Sequence, residues 1–256
     1  MSGPGDTGPG AGASRDYTVA ASLTSPQLTL GLALRDSARF ESFYTGPNAE
    51  LVVTLRASAR GQGEPFLYIS GSAGMGKTHL LQAACFEAGL AGISTAFVPL
   101  AGLDGMSPAI LEGLEQMHLV CLDDVQAIAG NEAWEHAVFD LFNRVRAAGA
   151  TLLVAGSRRP DQCGFSLPDL ASRLGWGVTY VLKPLPDEDV IAALTHRARG
   201  RGLELPEDTA QFLLKRIPRD LPSVFDLLDR LDEASMIEQR RLTIPFVKSV
   251  LERLQA

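Results

Sequence analysis

The octapeptide at residues 71–78, GSAGMGKT, contains the residue types that bind the phosphates of a nucleotide. Its glycines are Gly71, Gly74 and Gly76. Glycine lets a tight backbone turn direct its N–H groups at phosphate oxygens. Lys77 supplies a positive charge for the β- and γ-phosphates, and Thr78 supplies a hydroxyl ligand for Mg²⁺. The spacing G-x-x-x-x-G-K-[ST] therefore predicts a phosphate-binding P-loop.

The segments on either side of the P-loop predict the strand and the helix that such a loop requires. Residues 66–70 (FLYIS) form a short apolar run, which is typical of a buried strand. Residues 79–88 contain no Gly or Pro, so a helix is expected to begin near Thr78 and to add the positive end of its dipole. Coincidence would produce the bare pattern in roughly one chain of this size in a hundred, and the strand–loop–helix context makes it rarer.

A second predicted strand, residues 119–124 (LVCLDD), ends in two carboxylates. Asp123 is the expected Mg²⁺ ligand, and Asp124 is expected to orient the attacking water. The alternative is a solvated strand end, which the place of the pair in the chain after Lys77 disfavours. Ser157, at the end of the next predicted strand, is a candidate to hydrogen-bond the γ-phosphate or that water. Its alternative is a plain turn serine.

The composition favours one large α/β core, or an α/β domain of about 150 residues with a smaller appendage. The chain has 256 residues, 46% of them apolar, a formal net charge of −7 and a pI near 5.2. This charge argues against broad contact with nucleic-acid phosphates or with an anionic membrane. The three cysteines form no C-x-x-C pair or zinc signature, so free thiols in a reducing compartment are expected.

Strands that alternate with helices predict a parallel sheet covered on both faces. The predicted strands are residues 66–70, 95–100, 119–124, 151–157 and 178–182, and the predicted helices between them include 49–59, 78–88 and 133–147. After the last strand only helical patterns remain, at 187–199, 206–216, 221–238 and 244–254. We therefore predict an α/β core at residues 35–182 and a helical subdomain at residues 183–256.

The amino-terminal residues predict neither a folded element nor a membrane anchor. Gly, Pro, Ser and Ala dominate residues 1–16, and a disordered tail is expected at 1–22. No charged start is followed by an apolar signal segment, and no run approaches the ~18 apolar residues that span a bilayer. A soluble, cytoplasmic protein without a membrane partner is therefore expected.

Several further stretches resemble the DnaA-type AAA+ family. They are residues 71–81 (GSAGMGKTHLL), 123–126 (DDVQ), 157–160 (SRRP), 167–177 (LPDLASRLGWG), 203–208 (LELPED), 212–216 (FLLKR) and 241–248 (RLTIPFVK). The last four are more specific than the P-loop and are most similar to the Hda branch, DnaA-related proteins that inactivate the initiator. The resemblance covers residues 27–254 and implies an AAA+ core with a helical lid, and ADP or ATP with Mg²⁺ as cofactors.

The resemblance also implies roles for two arginines. Arg173, within DLASRL, matches the arginine that this family presents to a nucleotide bound by a neighbouring subunit. A guanidinium is always charged and forks onto phosphate oxygens, so it can stabilise charge that develops on the γ-phosphoryl group. Arg219, within PRDL, matches the sensor arginine that reaches from the lid to the nucleotide of the same chain. The alternatives are a surface arginine and an ordinary first-turn helix residue.

A short segment before the core, residues 27–32 (QLTLGL), resembles the motif with which Hda proteins bind the sliding clamp of DNA polymerase. Its expected clamp-binding residues, within a segment at 23–34, are Gln27, Leu28, Leu30 and Leu32. The glutamine would supply directional hydrogen bonds and the leucines would fill an apolar pocket. The terminal aromatic residue of strong clamp motifs is missing, and the alternative is a β-strand or a packed lead-in.

Together these resemblances imply a regulatory AAA+ adaptor. It would bind adenine nucleotide and the clamp, and stimulate hydrolysis of DnaA-bound ATP through Arg173 in trans, with little turnover of its own. DnaA and the clamp are the expected partners, and assembly with copies of itself stays open. The chain ends after the lid pattern, so no sequence-specific DNA binding is expected. The alternative is a self-standing AAA+ ATPase, such as a helicase loader or transposition helper, because the P-loop and both aspartates are present.

Overall fold

The computed structural model describes residues 38–103, 105–200, 202–216 and 221–255, all of which lie within one compact unit. At residues 187, 188, 221–226, 254 and 255 it describes the backbone but not the side chains. The predicted tail at 1–22 and the predicted clamp-binding segment at 23–34 lie outside the described residues. Arg219 lies outside them as well.

Five parallel strands form the sheet at the centre of the core. They are β1 (Phe66–Ser70), β2 (Thr95–Pro99), β3 (Leu119–Asp123), β4 (Thr151–Gly156) and β5 (Val178–Val181). Their order across the sheet is β2-β3-β4-β1-β5, and every neighbouring pair is parallel. This arrangement confirms the predicted α/β class with a parallel-sheet core.

Helices cover both faces of the sheet. They are α1 (Ala49–Ala59), α2 (Lys77–Leu90), α3 (Glu132–Ala148) and α4 (Pro168–Leu174). The buried residues of α1 and α2 pack with Leu67 and Ile69 of β1, whereas those of α3 and α4 pack with Tyr68 of the same strand. Successive strand side chains point to opposite faces, so a sheet covered on both sides requires strands that are apolar throughout.

The parallel arrangement gives the sheet two chemically different edges. All strands end at the carboxyl edge, where the P-loop follows β1 and the pair Asp123–Asp124 ends β3. All strands begin at the amino edge, where Gly177 precedes β5 and lies against Phe66 at the start of β1. At about 3.3 Å per residue, the five residues of β1 separate the two edges by roughly 13–17 Å.

Four helices after the sheet form a helical lid with a hydrophobic core of its own. They are α5 (Asp187–Gly200), α6 (Glu207–Leu214), α7 (Leu221–Glu238) and α8 (Ile244–Gln255). Leu194, Leu228 and Phe246 are fully buried in the lid cluster, which is separate from the two clusters on the sheet. Within the described ranges, no helix combines the length and the apolar character needed to cross a membrane.

The structure differs from the predicted elements mainly at their ends. Four of the five strands end one residue before their predicted limits. At β3 the reason is Asp124, whose φ of 52° and ψ of 46° place it in the left-handed region, which is incompatible with an extended strand. The seven-residue α4 is not among the predicted elements, because a helix of about two turns that begins at a proline carries too few residues to show a period.

Gly177 provides a test of the packing at the amino edge. A Cβ at this position would lie 1.9 Å from the Phe66 carbonyl oxygen, so Gly177→Ala must displace backbone. We expect Tm to fall by at least about 5 °C, because a substitution that forces backbone movement costs about 2–3 kcal/mol. The control is Gly89→Ala in α2, where a Cβ meets nothing within 4 Å and Tm should stay level or rise. Equal Tm values for the two variants would contradict this packing.

Candidate nucleotide-binding site

The P-loop has a conformation that requires glycine at two of its positions. Gly74 and Gly76 have positive φ values of 75° and 95°, which residues other than glycine disfavour. A Cβ on Gly76 would also lie 2.8 Å from the ring of Phe43. The loop turns directly into α2, whose first residues are Lys77 and Thr78. Its N–H groups and the start of α2 therefore face the same space, as phosphate binding requires.

Lys77 is held inside this turn. Its ammonium Nζ donates hydrogen bonds to the carbonyl oxygens of Gly71 (2.8 Å) and Ser72 (2.9 Å). Burial lowers the pKa of Lys77, and the nearby carboxylates of Asp124 and Asp123 oppose that shift. The side chain is thus a pre-positioned cation, bonded to neutral carbonyls that phosphate oxygens can replace as acceptors.

Asp123 is a buried carboxylate at the end of β3, with 1% of its surface exposed. Desolvation raises its pKa, and a hydrogen bond from the Thr78 side chain opposes that shift. Its Oδ1 also accepts the backbone N–H of Asp124 at 3.0 Å. A hydroxyl and a carboxylate are the oxygen ligands that Mg²⁺ prefers, with the remaining positions left to phosphates and water. Thr78 and Asp123 therefore fit a magnesium site.

Gln126 is a site residue that the sequence analysis missed. Its side-chain amide donates to Asp124 Oδ1 at 3.0 Å, and its Oε1 accepts the backbone N–H of Ser157 at 2.8 Å. Gln126 thereby joins the carboxylate after β3 to the residue after β4. The structure places it in the 3₁₀ turn Val125–Ile128. The available sequence signal was a position shortly after the predicted strand, but a glutamine there is equally typical of a solvated turn.

A cavity of about 660 Å³ extends from the P-loop toward the lid. The P-loop, Ser157 and the arginines Arg158 and Arg159 line one part of it. Phe43 and Tyr44 from the lead-in and Val190, Ala193 and Arg197 from α5 line another part. This volume lies within the range of small-molecule sites, and apolar walls beside a phosphate loop suit a nucleotide whose base leaves water.

The chain before α1 is attached to the start of the lid beside this cavity. The Asn48 side chain accepts the Lys183 backbone N–H at 2.8 Å and donates to the Lys183 carbonyl at 2.9 Å. The Tyr44 hydroxyl donates to Asp189 at 3.0 Å. The sequence analysis assigned no role to these residues. They fix the walls that Tyr44 and α5 contribute to the cavity.

Arg173 lies away from this cavity. It is the next-to-last residue of α4, near the amino edge of the sheet, and it does not line the cavity. Its guanidinium lies 5.3 Å from the ring centroid of Trp176 and 5.8 Å from that of Phe139. No carboxylate in the described ranges is within ion-pair distance of it. The structure thus brings together Lys77, Thr78, Asp123, Asp124 and Ser157 at one edge and leaves Arg173 near the other.

Glu135 determines where α4 begins. This carboxylate on α3 is fully buried, and it accepts the backbone N–H groups of Gly130 (2.7 Å), Ser166 (3.0 Å) and Leu167 (2.7 Å). It therefore connects the loop after β3 to the residues that lead into the helix of Arg173. The sequence carried no signal for this role, because a glutamate in the first turn of a helix is common at exposed positions.

Comparison with solved structures identifies the fold. Domain III of DnaA from Thermotoga maritima matches with a TM-score of 0.73 at 21% identity, over 86% of this chain and 97% of that chain. AMPPCP-bound DnaA from Aquifex aeolicus matches at 0.66 and 23%, over 78% and 66%. The Thermotoga maritima RuvB branch-migration motor matches at 0.61 and 18%, over 84% and 74%. At these identities the similarity shows the AAA+ fold.

The helical lid gives a more specific match. Residues 187–251 match the family model described as "Hda, lid domain". The chain thus combines a core of the AAA+ fold with a lid that matches the Hda lid model. The AAA+ core and carboxyl-terminal helical lid that the sequence predicted are thereby confirmed.

The buried carboxylate of Asp123 predicts a conflict between stability and metal binding. Its raised pKa means that the folded chain holds this proton more tightly than the unfolded chain, so stability falls as pH rises through the carboxyl titration. At neutral pH, Asp123→Asn should therefore raise the Tm of the nucleotide-free protein by about 2–4 °C. The same variant should lose the additional stabilisation that Mg²⁺ gives in the presence of nucleotide.

Thermal melting from pH 5 to pH 8, with and without nucleotide and Mg²⁺, measures both effects. The matched control is Asp140→Asn, an exposed aspartate on α3, which should change neither. A lower Tm for Asp123→Asn in the nucleotide-free protein would contradict the assignment of an unfavourably buried charge.

Glu135→Gln tests how α4 is held. The amide retains one acceptor oxygen and presents an N–H₂ group to donors, so at least one of the three N–H groups loses a bond to a charged acceptor, at a cost of about 1–3 kcal/mol. We expect a lower Tm and faster hydrogen exchange at Ser166 and Leu167. Glu132→Gln, an exposed neighbour in the same turn, is the control and should change neither. Unchanged exchange at both amides would show that Glu135 does not hold this segment.

Proposed function

We propose that this protein is a regulatory AAA+ adaptor that binds an adenine nucleotide in its own P-loop and stimulates hydrolysis of ATP held by DnaA, through Arg173 supplied in trans. Through this activity it restrains initiation of replication in the cytoplasm. The observation that carries the proposal is the position of Arg173, near the opposite edge of the sheet from the P-loop of the same chain.

The separation of the edges favours a partner's nucleotide as the target of Arg173. The sheet is roughly 13–17 Å deep along β1, whereas a phosphate contact requires about 3 Å. Arg173 also lacks a carboxylate partner among the described residues, so none of them neutralises its charge. An arginine contributed by another molecule stabilises the charge that develops on the transferred phosphoryl group and is worth 10³–10⁵ in rate.

The P-loop side of the proposal rests on the fit of the residues there. DnaA from Aquifex aeolicus binds AMPPCP on a similar fold, and the cavity here has phosphate-binding and apolar parts. Lys77 and the P-loop would bind the phosphates of ADP or ATP, and Thr78 with Asp123 would hold Mg²⁺. When bound, the ion neutralises phosphate charge. Ser157 would bond the γ-phosphate or the attacking water, and Asp124, held by Gln126, would orient that water.

Two further parts of the proposal involve residues outside the described ranges. Gln27, Leu28, Leu30 and Leu32 would bind the sliding clamp and thereby concentrate the protein on replicating DNA. Arg219 would contact the nucleotide of its own chain from the lid. Both rest on the sequence resemblance to the Hda branch, and the match of the lid to the Hda lid model supports that branch.

A second candidate function is a self-standing ATPase. The observation in its favour is that the site contains Lys77, Thr78 and Asp123, and that Gln126 bonds Asp124 next to Asp123. This candidate predicts steady ATP hydrolysis without DnaA. The adaptor predicts little hydrolysis until DnaA with bound ATP is added.

Substitution of Arg173 tests the proposal. With clamp-loaded DNA and DnaA preloaded with ATP, we expect Arg173→Ala to lower the stimulated hydrolysis rate by about 10³-fold, because the transition-state charge loses its partner. Arg173→Lys should recover only part of the rate, because an ammonium lacks the planar fork of a guanidinium. Phosphate release from DnaA is the measurement.

The control is the variant Gln27→Ala/Leu30→Ala, which should lose clamp attachment and stimulation together. Arg173→Ala should retain clamp attachment and its own nucleotide affinity. Normal stimulation by Arg173→Ala would overturn the assignment of a trans-acting arginine, and hydrolysis of the same rate without DnaA would favour the self-standing ATPase.

A further inference from the structure

An exposed tryptophan lies between two arginines at the amino edge of the core. Trp176 is 52% exposed, although it is the largest apolar side chain in its segment. The guanidinium of Arg146, from the last turn of α3, lies 3.9 Å from its ring centroid, and that of Arg173 lies 5.3 Å away. We call these three residues the Arg–Trp–Arg patch. Large exposed aromatics of this kind are enriched at protein interfaces.

The patch carries positive charge that no described carboxylate neutralises by an ion pair. Neither Arg146 nor Arg173 has a carboxylate within ion-pair distance among the residues that the structure describes. By contrast, the nearby Arg144 is paired with Glu115 at 3.1 Å. Two uncompensated guanidinium groups beside one indole therefore form a local cationic surface on a chain whose formal net charge is −7.

We propose that the Arg–Trp–Arg patch is the surface that binds the nucleotide-bearing face of a partner ATPase. This inference rests on the proposed function and adds two residues to it. Trp176 is a positioning residue, because its ring limits where the Arg173 guanidinium can lie. Arg146 stacks on that ring and supplies a second charge that attracts the anionic triphosphate and the acidic groups around its metal ion.

The geometry favours a protein-bound nucleotide over single-stranded nucleic acid. Proteins bind single strands by stacking bases on open aromatic faces. The Arg146 guanidinium covers one face of the indole, and Phe142 approaches the ring with a centroid distance of 6.4 Å. The remaining exposed surface suits an edge contact within a protein interface.

Titration of DnaA-bound ATP hydrolysis with increasing adaptor separates the two roles. Arg146→Ala should raise the half-saturating concentration about fivefold, leave the maximal rate unchanged and weaken its dependence on salt, because a rim charge acts on association. Trp176→Ala should lower the maximal rate about tenfold or more, as expected for an interface aromatic that also orients Arg173. Trp176→Phe should restore most of that rate, because a ring remains.

Matched controls come from other parts of the chain. Arg216→Ala removes an arginine that lies 3.7 Å from the Phe212 ring in the lid, and Leu90→Ala removes an apolar side chain that is 74% exposed at the end of α2. Both should stimulate normally. All variants should retain the Tm and the nucleotide affinity of the parent protein.

The outcomes distinguish this inference from the function on which it rests. If Arg173→Ala fails to stimulate while either Arg146→Ala or Trp176→Ala behaves like the controls, the patch is wrong and the trans-acting arginine stands. If Arg173→Ala stimulates normally, both fail. Fluorescence titration with oligothymidylate is the further arm. Salt-sensitive quenching that Trp176→Phe abolishes, with normal stimulation by that variant and by Trp176→Ala, would assign the patch to nucleic acid and overturn the inference.

Discussion

In an all-parallel sheet every strand begins at the amino edge and ends at the carboxyl edge, so the length of the strands keeps residues at the two edges apart. The functional layout of this protein depends on that separation. The P-loop and the Asp123–Asp124 pair follow strands, so they meet at the carboxyl edge. Arg173 is in the last turn of the helix that leads into β5, so it lies near the amino edge. One fold therefore carries the residues of a candidate phosphate site at one edge and Arg173 near the other.

At the carboxyl edge, buried side chains of opposite charge stabilise one another. Lys77 is 6% exposed and Asp123 is 1% exposed, and each shifts the pKa of the other toward the charged form while burial shifts it the opposite way. The backbone N–H of Asp124 bonds the Asp123 carboxylate, and the Gln126 amide bonds the carboxylate of Asp124. Such a site is costly without ligand and is stabilised when phosphate and metal charges enter it.

The amino edge is held by different means. Gly177 allows β5 to begin directly against β1, and Glu135 holds the start of α4, the helix that leads to this edge, through the backbone N–H groups of Ser166 and Leu167. Neither contact involves Arg173, and no described carboxylate lies within ion-pair distance of its guanidinium. The Glu135 carboxylate also accepts the N–H of Gly130, so it connects the loop after β3 with the start of α4.

The sequence predicted features that depend on residues close together in the chain. Residues 66–78 combine an apolar strand with a fixed glycine and lysine spacing, and Asp123 follows a strand of the same kind. Their meeting at one edge follows from parallel topology alone. Gln126, Glu135 and the stacking of Arg146 on Trp176 could not be predicted, because each depends on side-chain contacts across elements. The contact from Glu135 to Leu167 spans 32 residues, and nothing in the local pattern distinguishes that glutamate from an exposed one.

The most direct test of the central claim asks whose nucleotide is hydrolysed. DnaA is preloaded with γ-labelled ATP and this protein with unlabelled ADP, and labelled phosphate is followed in a single turnover on clamp-loaded DNA. The account predicts rapid release of one labelled phosphate per DnaA while the ADP stays bound to this chain. Release that is no faster than with DnaA alone, or that begins only after labelled ATP has exchanged onto this chain, would contradict it.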